Sequence, residues 1–171
     1  SRNWAIVNYE SRQNMKILIL SDSHGVKKYM DKIVPIIEKD IDLIIHAGDN
    51  FRDSIYLKER TEKPVIAVAG NCDFENVERD IDFEVEGVKI FLTHGHKYGV
   101  KYGLGNLADI AHEKSAKIAI FGHTHVKEDR MLMGVQMINP GSLSLPRDGI
   151  DKSYVIMDIE NGSFTYEYRF L

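Results

Sequence analysis

The sequence predicts an α/β fold in which two β-sheets pack face to face and helices cover their outer faces. Three observations lead to this prediction. Up to about residue 125, apolar β-rich runs alternate with helix-like stretches. Later runs follow one another without helical stretches between them. The chain also has 171 residues, 43% of them apolar and 28% charged, which fits one globular domain with a sizeable core.

The first part of the chain predicts parallel strands with helical connections. Its β-rich runs are Lys16–Leu20, Leu43–His46, Val65–Ala69, Lys89–Thr93 and Lys117–Phe121. Continuous apolarity is typical of strands that are covered on both faces. The segment Val26–Asp40 carries isoleucines on one side and predicts an amphipathic helix despite Pro35, and Gly103–Ser115 has a similar pattern.

The second part predicts a mainly antiparallel second sheet. Its strands are Met131–Leu132, Val135–Ile138, Tyr154–Ile159 and Phe164–Phe170. The dipeptide Asn161–Gly162 is a strong hairpin signal between the last two strands.

The domain is predicted to span residues 15–171. Residues 1–14 are interpreted as an N-terminal extension or a cloning remnant, because Met15 directly precedes the strand KILIL. They lack the basic and apolar regions of a secretory signal, and no apolar run reaches the ~20 residues of a membrane span. A single cysteine, Cys72, excludes an internal disulfide and a CxxC pair, which favours a cytoplasmic location.

The charge pattern argues against extended nucleic acid as a partner. The formal net charge is −4, and no lysine or arginine cluster is dense enough to follow a phosphate backbone. A phosphate-binding site on this chain would therefore need positive charge from bound metal.

Metal-competent side chains follow five of the predicted strands. They lie in the segments Asp22–Ser23–His24, Gly48–Asp49, Gly70–Asn71–Cys72–Asp73, His94–Gly95–His96 and Gly122–His123–Thr124–His125. Ligands collect at the carboxyl ends of strands in open α/β sheets, so these segments are expected to converge. Imidazole nitrogen and carboxylate or amide oxygen, without sulfur, suit Mn, Fe, Co, Ni or Zn. Two such cations, roughly 3.5–4 Å apart, can share a hydroxide that attacks phosphorus.

The motif order D-x-H, G-D, G-N-x-D, H-G-H and G-H-x-H resembles the calcineurin-like metallophosphoesterase superfamily, and its small single-domain YfcE-type phosphodiesterase branch above all. The resemblance covers residues 15 to about 171. It implies a four-layer αββα sandwich of two mixed β-sheets flanked by helices. It also implies two divalent metal ions, with manganese expected and Ni, Fe, Co and Zn as alternatives, and a small phosphate ester as substrate, with phosphodiesters favoured. A homo-oligomer is compatible with it.

The same resemblance assigns the ligands. One metal would be held by Asp22, His24 and His125, the other by Asn71, His94 and His123, and Asp49 would bridge them. Many members carry a phosphate-contacting histidine where this chain has Cys72. The candidate catalytic residues are therefore Asp49, His96 as the substitute acid, Cys72 as a weaker candidate for it, and Asp73.

Plainer interpretations stay open for several residues. Asp22 and Ser23 can cap the following helix, and His46 and His112 are ordinary histidines, of which His46 can orient a neighbour. Asn139 and Ser142 form a turn that can also touch substrate. For the whole protein, the alternative is a non-catalytic protein-binding scaffold of the same fold. A nucleotide-binding fold without metals is excluded by the lack of a G-x-G-x-x-G or G-x-x-x-x-G-K-[ST] element.

Overall fold

The computed structural model describes residues 14–171. The prediction about residues 1–14 therefore lies outside the described residues, apart from Asn14, which begins the first strand. The strands and α-helices, in chain order, are β1 (Asn14–Leu20), α1 (Lys27–Asp40), β2 (Leu43–His46), α2 (Phe51–Thr61), β3 (Val65–Ala67), β4 (Asp80–Val85), β5 (Val88–Thr93), α3 (Gly105–Glu113), β6 (Ile118–Ile120), β7 (Glu128–Leu132), β8 (Val135–Asn139), β9 (Ser153–Glu160) and β10 (Ser163–Phe170). A short 3₁₀ helix covers His96–Tyr98.

These strands form two mixed five-stranded sheets. The first has the order β10-β9-β1-β2-β3, and the second has the order β4-β5-β6-β8-β7. In the first sheet β1, β2 and β3 are parallel, whereas β9 is antiparallel to both β1 and β10. In the second sheet β5, β6 and β8 are parallel, with β4 and β7 antiparallel at the edges. The predicted class, an α/β sandwich of two mixed sheets, is confirmed.

The predicted division of strands between the sheets is wrong. Strands after residue 125 do not make a sheet of their own, because β7 and β8 join the second sheet while β9 and β10 join β1 in the first. The burial of β9 explains its position: the strand is buried along nearly its whole length, and a place between β1 and β10 provides neighbours on both sides. The alternation of strands and helices along the chain does not specify which distant strands pair.

The core has three layers of apolar side chains, one between the sheets and one under each helical layer. In β1, Ile17 and Ile19 face the inter-sheet core, whereas Leu18 and Leu20 pack toward α1 and α2. The third cluster packs α3 against the second sheet. Successive side chains of a strand point to opposite faces, so cover on both faces requires the unbroken apolar run of KILIL.

Two elements were not specified by the sequence prediction. They are α2, which has few apolar residues, and β4, an edge strand whose sequence DIDFEV alternates rather than running continuously apolar. No side-chain hydrogen bond caps α1, so Asp22 and Ser23 do not act as its cap. Within residues 14–171, no helix has the length and apolarity needed to cross a membrane.

The carboxyl ends of the parallel strands bring the polar loops of both sheets together. Within the first sheet, Asp22 N donates to Gly48 O over 2.9 Å. Within the second, Gly122 N donates to His94 O over 3.0 Å. Across the sheets, His123 N donates to Asp22 Oδ2 over 3.0 Å. The predicted convergence of the loops is therefore present.

Candidate metal centre

Two clusters of imidazole and carboxylate groups lie at this meeting point. Asp22, His24 and His125 form one, and Asp22, Asp49 and His94 form the other, each with its ligand atoms within 4.8 Å of one another. Asp22 belongs to both clusters. The two clusters thus adjoin each other at a buried carboxylate.

The Asp22 carboxylate is oriented by its second oxygen. Oδ2 accepts hydrogen bonds from Ser21 Oγ at 2.7 Å and from the His123 backbone N–H. Oδ1 faces three imidazoles, 3.2 Å from His125 Nε2 and 3.8 Å from both His24 Nε2 and His94 Nε2. Burial opposes ionisation of Asp22, but His125, His94 and Ser21 outweigh it and hold its pKa below the ordinary value. Asp22 is therefore an anion at neutral pH.

Unsatisfied atoms show that the cluster fits a cation. Asp22 Oδ1 and His94 Nε2 are buried and have no hydrogen-bond partner in the described part of the chain. His94 Nδ1 lies 2.7 Å from Ala47 O, and His125 Nδ1 lies 2.7 Å from Leu145 O. A carbonyl oxygen only accepts, so in the neutral form of each ring Nδ1 carries the hydrogen. Each Nε2 then directs its lone pair toward the carboxylates. Buried polar atoms are rarely left unpaired, and a divalent cation would satisfy these.

A proton and a cation compete for His94 Nε2. Burial lowers the pKa of His94, but the carboxylates of Asp49 and Asp22 outweigh burial and raise it. Asp49 Oδ2 lies 3.4 Å from this nitrogen. In metal-free protein the nitrogen is therefore readily protonated, and metal binding must displace that proton.

Asp49 is held between the two sheets. Its Oδ1 accepts the Cys72 backbone N–H at 3.0 Å, while Oδ2 faces His94. Burial again opposes ionisation, yet the neighbouring His94 imidazole and the Cys72 N–H outweigh it and keep the pKa of Asp49 well below its ordinary range. This carboxylate is charged and aimed at the cluster from the side of the first sheet.

His123 and His96 complete the imidazole group. The His123 ring centroid lies 5.1 Å from that of His94, and the His96 centroid lies 5.6 Å from His94 and 6.0 Å from His123. Burial, followed by the charge of His94, lowers the pKa of His123 to about 4. Burial, His94, Arg79 and Lys97 lower the pKa of His96 as well. Both rings are neutral at pH 7.

Asn71 and Cys72 lie on the exposed rim. Asn71 Nδ2 is 3.8 Å from Cys72 Sγ, and both residues are exposed. The Cys72 thiol is partly desolvated although the residue as a whole is exposed. This desolvation, with the neighbouring Asp49 carboxylate, raises the pKa of Cys72 to about 11. Cys72 thus keeps its proton at neutral pH, whereas His96, the predicted acid, does not carry an imidazolium proton there.

Asp73 accepts hydrogen bonds from the backbone and is not part of the metal-binding clusters. Its Oδ2 accepts N–H groups of Asp49 at 3.0 Å and Gly70 at 2.8 Å, and its Oδ1 accepts that of Phe51 at 2.9 Å. Asp73 was predicted among the catalytic residues. With both oxygens engaged by backbone donors, it is instead a residue that positions the Asp49 loop.

The positioning role of several residues was missed, because serine and asparagine in a turn have an ordinary sequence signal. Ser142 Oγ and Ser144 Oγ donate to Asp22 O at 2.8 and 3.1 Å. Asn139 Nδ2 donates to Gly122 O at 3.2 Å. Asn139 and Ser142 are fully buried, so the interpretation that they touch substrate from the turn is wrong.

Asp80 plays a similar part beneath the His94–His96 loop. It accepts hydrogen bonds from Thr93 Oγ1 at 2.7 Å, Tyr98 Oη at 2.7 Å and Lys97 Nζ at 3.0 Å. Thr93 precedes His94, and Lys97 follows His96. The carboxylate therefore ties both ends of this loop to β4.

Buried imidazoles and carboxylates at the carboxyl ends of the strands of a two-sheet α/β fold are typical of a metal-binding site. Comparison with known proteins gives the family. The model of the calcineurin-like phosphoesterase superfamily domain matches residues 15–162. The chain belongs to this superfamily, and this membership supports a metal-dependent phosphoesterase.

Individual relatives agree. The chain is 38% identical over 155 residues to the probable metallophosphoesterase YsnB of Bacillus subtilis, covering 90% of each chain. It is 28% identical over 169 residues to the phosphodiesterase YfcE of Escherichia coli, covering 84% of this chain and 88% of the relative. A predicted phosphoesterase from Streptococcus pneumoniae has a similar structure, with a TM-score of 0.77 at 28% identity, covering 91% of this chain and 88% of the other.

Proposed function

We propose that this protein is a dinuclear-metal phosphohydrolase that acts on small phosphate esters and prefers phosphodiesters. The observation that carries the proposal is Asp22 Oδ1, a buried anionic oxygen that has no hydrogen-bond partner within residues 14–171 and lies 3.2–3.8 Å from three imidazole nitrogens. Such an arrangement is costly unless a cation occupies it.

The proposed ligands divide between two cations. Asp22, His24 and His125 would hold one, and Asn71, His94 and His123 would hold the other, with Asp49 between them. Two divalent ions held there would supply positive charge to neutralise the phosphate and would lower the pKa of a water molecule for attack on phosphorus. Manganese is the proposed ion, because nitrogen and oxygen donors without sulfur suit it, with Ni, Fe, Co and Zn as alternatives.

The protonation states of the side chains suit this role. Asp22 and Asp49 stay ionised at neutral pH because their pKa values are lowered. His123 is neutral, since its pKa is about 4, and therefore offers a lone pair. The overall charge of −4 does not attract phosphate, so the attraction would come from the metals.

The leaving-group side of the site lacks a strong acid. Cys72 carries a proton at neutral pH but has a pKa of about 11, and the lowered pKa of His96 leaves that ring neutral. Esters whose leaving group departs without protonation should therefore react fastest. The likeness to the phosphodiesterase YfcE supports diesters over monoesters.

The test is turnover of bis(p-nitrophenyl) phosphate and of p-nitrophenyl phosphate by Mn²⁺-loaded protein, with metal content measured in parallel. We expect the diester to react faster. Asp49→Asn keeps an oxygen for the Cys72 N–H but loses the charge, so kcat should fall by about 10²-fold or more. Asp109→Asn, an exposed change on α3, is the matched control and should leave kcat unchanged.

A specific result contradicts the proposal. If wild-type protein binds two metal ions and hydrolyses neither substrate, the enzyme function is wrong and the non-catalytic scaffold is favoured.

A further inference from the structure

A buried hydrogen-bonded triad, formed by His46, Ser23 and Asp53, lies beneath the metal-binding loops. Their exposed fractions are 0%, 1% and 3%. Ser23 stands between Asp22 and His24, His46 ends β2, and Asp53 is in the first turn of α2. None of the three is a metal ligand in the proposed assignment.

The direction of every hydrogen bond in the triad follows from one donor. Gly48 N donates to His46 Nδ1 over 3.0 Å, so in the neutral ring the hydrogen is on Nε2. Burial lowers the pKa of His46, which favours that neutral ring. His46 Nε2 then donates to Ser23 Oγ over 2.8 Å, and the Ser23 hydroxyl donates to Asp53 Oδ2. Each polar hydrogen has one acceptor, which leaves the triad a single arrangement.

The triad joins the two loops that carry Asp22, His24 and Asp49. Asp53 Oδ2 also accepts the Gly25 backbone N–H at 2.8 Å, at the end of the first loop. His46 holds Gly48, next to Asp49, in the second loop. Main-chain bonds run between the same loops, with His24 N donating to Asp49 O over 3.3 Å. The triad thus cross-links the loops on their buried side.

A polar triad is a costly way to fill this space. Burial of a carboxylate and an imidazole costs free energy that apolar side chains of similar volume would not cost. Packing alone therefore does not account for Asp53 and His46. What the triad adds over apolar residues is a fixed relative position of two loops, because hydrogen bonds are directional and apolar contacts are not.

We propose that His46, Ser23 and Asp53 are positioning residues that set the distance between Asp22 and Asp49 and so determine the affinity of the protein for divalent metal. The inference rests on the proposed metal centre. Groups that orient metal ligands typically change metal affinity by about 10- to 100-fold when they are removed.

The direct test is Mn²⁺ binding to metal-free Ser23→Ala, measured by isothermal titration calorimetry together with its thermal midpoint. The dissociation constant should rise by about 10- to 100-fold relative to wild type. Ser54→Ala is the matched control: Ser54 is equally buried and its hydroxyl donates to Phe51 O at 2.6 Å within α2. Ser54→Ala should bind Mn²⁺ as wild type does, even where it lowers the midpoint.

Rescue separates positioning from simple loss of packing. Asp53→Asn keeps an oxygen that can accept from both Ser23 and Gly25, so it should retain most of the affinity that Asp53→Ala loses. If Ser23→Ala does not fold, His46→Gln serves the same purpose: its amide N–H can replace Nε2 as the donor toward Ser23, but it has no atom at the Nδ1 position to accept from Gly48 N, so binding should weaken by about 10-fold.

The outcomes are distinct. Wild-type affinity in folded Ser23→Ala or His46→Gln, with only the midpoint lowered, would overturn the inference and leave the triad a purely structural role. Failure of wild-type protein to bind Mn²⁺ would instead overturn the proposed function.

Discussion

Gly122 lies where the two sheets leave no room for a side chain. A Cβ added at Gly122 would lie 2.0 Å from Ser21 Oγ and 2.6 Å from Asp22 Oδ2. Its backbone is not in the left-handed region, so the effect of Gly122→Ala comes from contact alone. The hydroxyl would have to rotate away, which breaks its 2.7 Å hydrogen bond to Asp22, and the carboxylate would have to retreat.

The expected loss of activity follows from the distance by which the Asp22 carboxylate must move. Ordinary carbon–oxygen contact begins at 3.4 Å, so Oδ2 must move by about 1 Å. A displacement of about 1 Å at a reacting centre can cost about 10²-fold in rate, or ~2.7 kcal/mol of barrier. Overpacking of this kind also costs roughly 1–3 kcal/mol of stability. We therefore expect kcat on an aryl diester to fall by about 10²-fold in Gly122→Ala.

The assay compares kcat and urea denaturation for three variants. Gly105→Ala is the control, because nothing lies within 4 Å of its added Cβ and its φ is not positive. Ser21→Ala combined with Gly122→Ala removes the nearer clash, so the double variant should regain stability but not full activity, since the Asp22 contact persists. Near-control kcat in folded Gly122→Ala would refute the claim that the position of Asp22 controls turnover.

Two further predictions concern the loops around the centre. Asp80→Asn should lower stability by about 1–3 kcal/mol at pH 7, because Asp80 accepts three hydrogen bonds, one from Lys97. Burial opposes ionisation of Asp80, but hydrogen bonds from Thr93, Tyr98 and Lys97 outweigh it and lower the pKa of Asp80 below the ordinary 3.8. The stabilisation is therefore complete well above that value and is lost as pH falls through the folded pKa, which is lower still. Urea denaturation at pH 7 and at a series of pH values below 3.8 should show the difference in stability between the two proteins shrinking step by step. An unchanged difference would contradict this. Cys72→His should raise kcat for alkyl esters by about 10-fold or more with little change for aryl diesters, since a general acid is typically worth ~10²–10⁴; unchanged alkyl-ester turnover would exclude the missing-acid explanation.

The residues that converge could be predicted because each follows an apolar strand. Asp22 and His24 come after β1, and His123 and His125 come after β6, so each pair is expected at the carboxyl end of a strand, where ligands collect. The structure brings these four together with Asp49 and His94, as the motif order indicates. Each motif is local in sequence and could therefore be predicted, whereas the packing of one sheet on the other, which brings the motifs together, is not encoded in any one of them.

The supporting residues could not be predicted, because their partners are distant in sequence. Asp53 is an acidic residue in the first turn of a helix, and Asp80 begins an alternating edge strand. Ser142 lies in a turn whose hydroxyl reaches a carbonyl 120 residues away. Each would be solvated in most proteins, and only the packing of the sheets turns it into a buried partner. The same reason explains the wrong assignment of β9, whose neighbour β1 lies at the other end of the chain.

The two sheets contribute different halves of the centre, and this explains why the site lies where it does. Asp22, His24 and Asp49 come from loops of the first sheet, whereas His94, His123 and His125 come from loops of the second. Carboxylates thus come mainly from one side and imidazoles from the other, and the apolar layer between the sheets fixes their separation. A cation bound between the loops of the two sheets would be held by ligands from both sheets. Metal binding should therefore stabilise the contact between the sheets as well as enable chemistry. Asp22 Oδ1 and His94 Nε2, which are buried without a hydrogen-bond partner among the described residues, are the atoms that such a cation would satisfy.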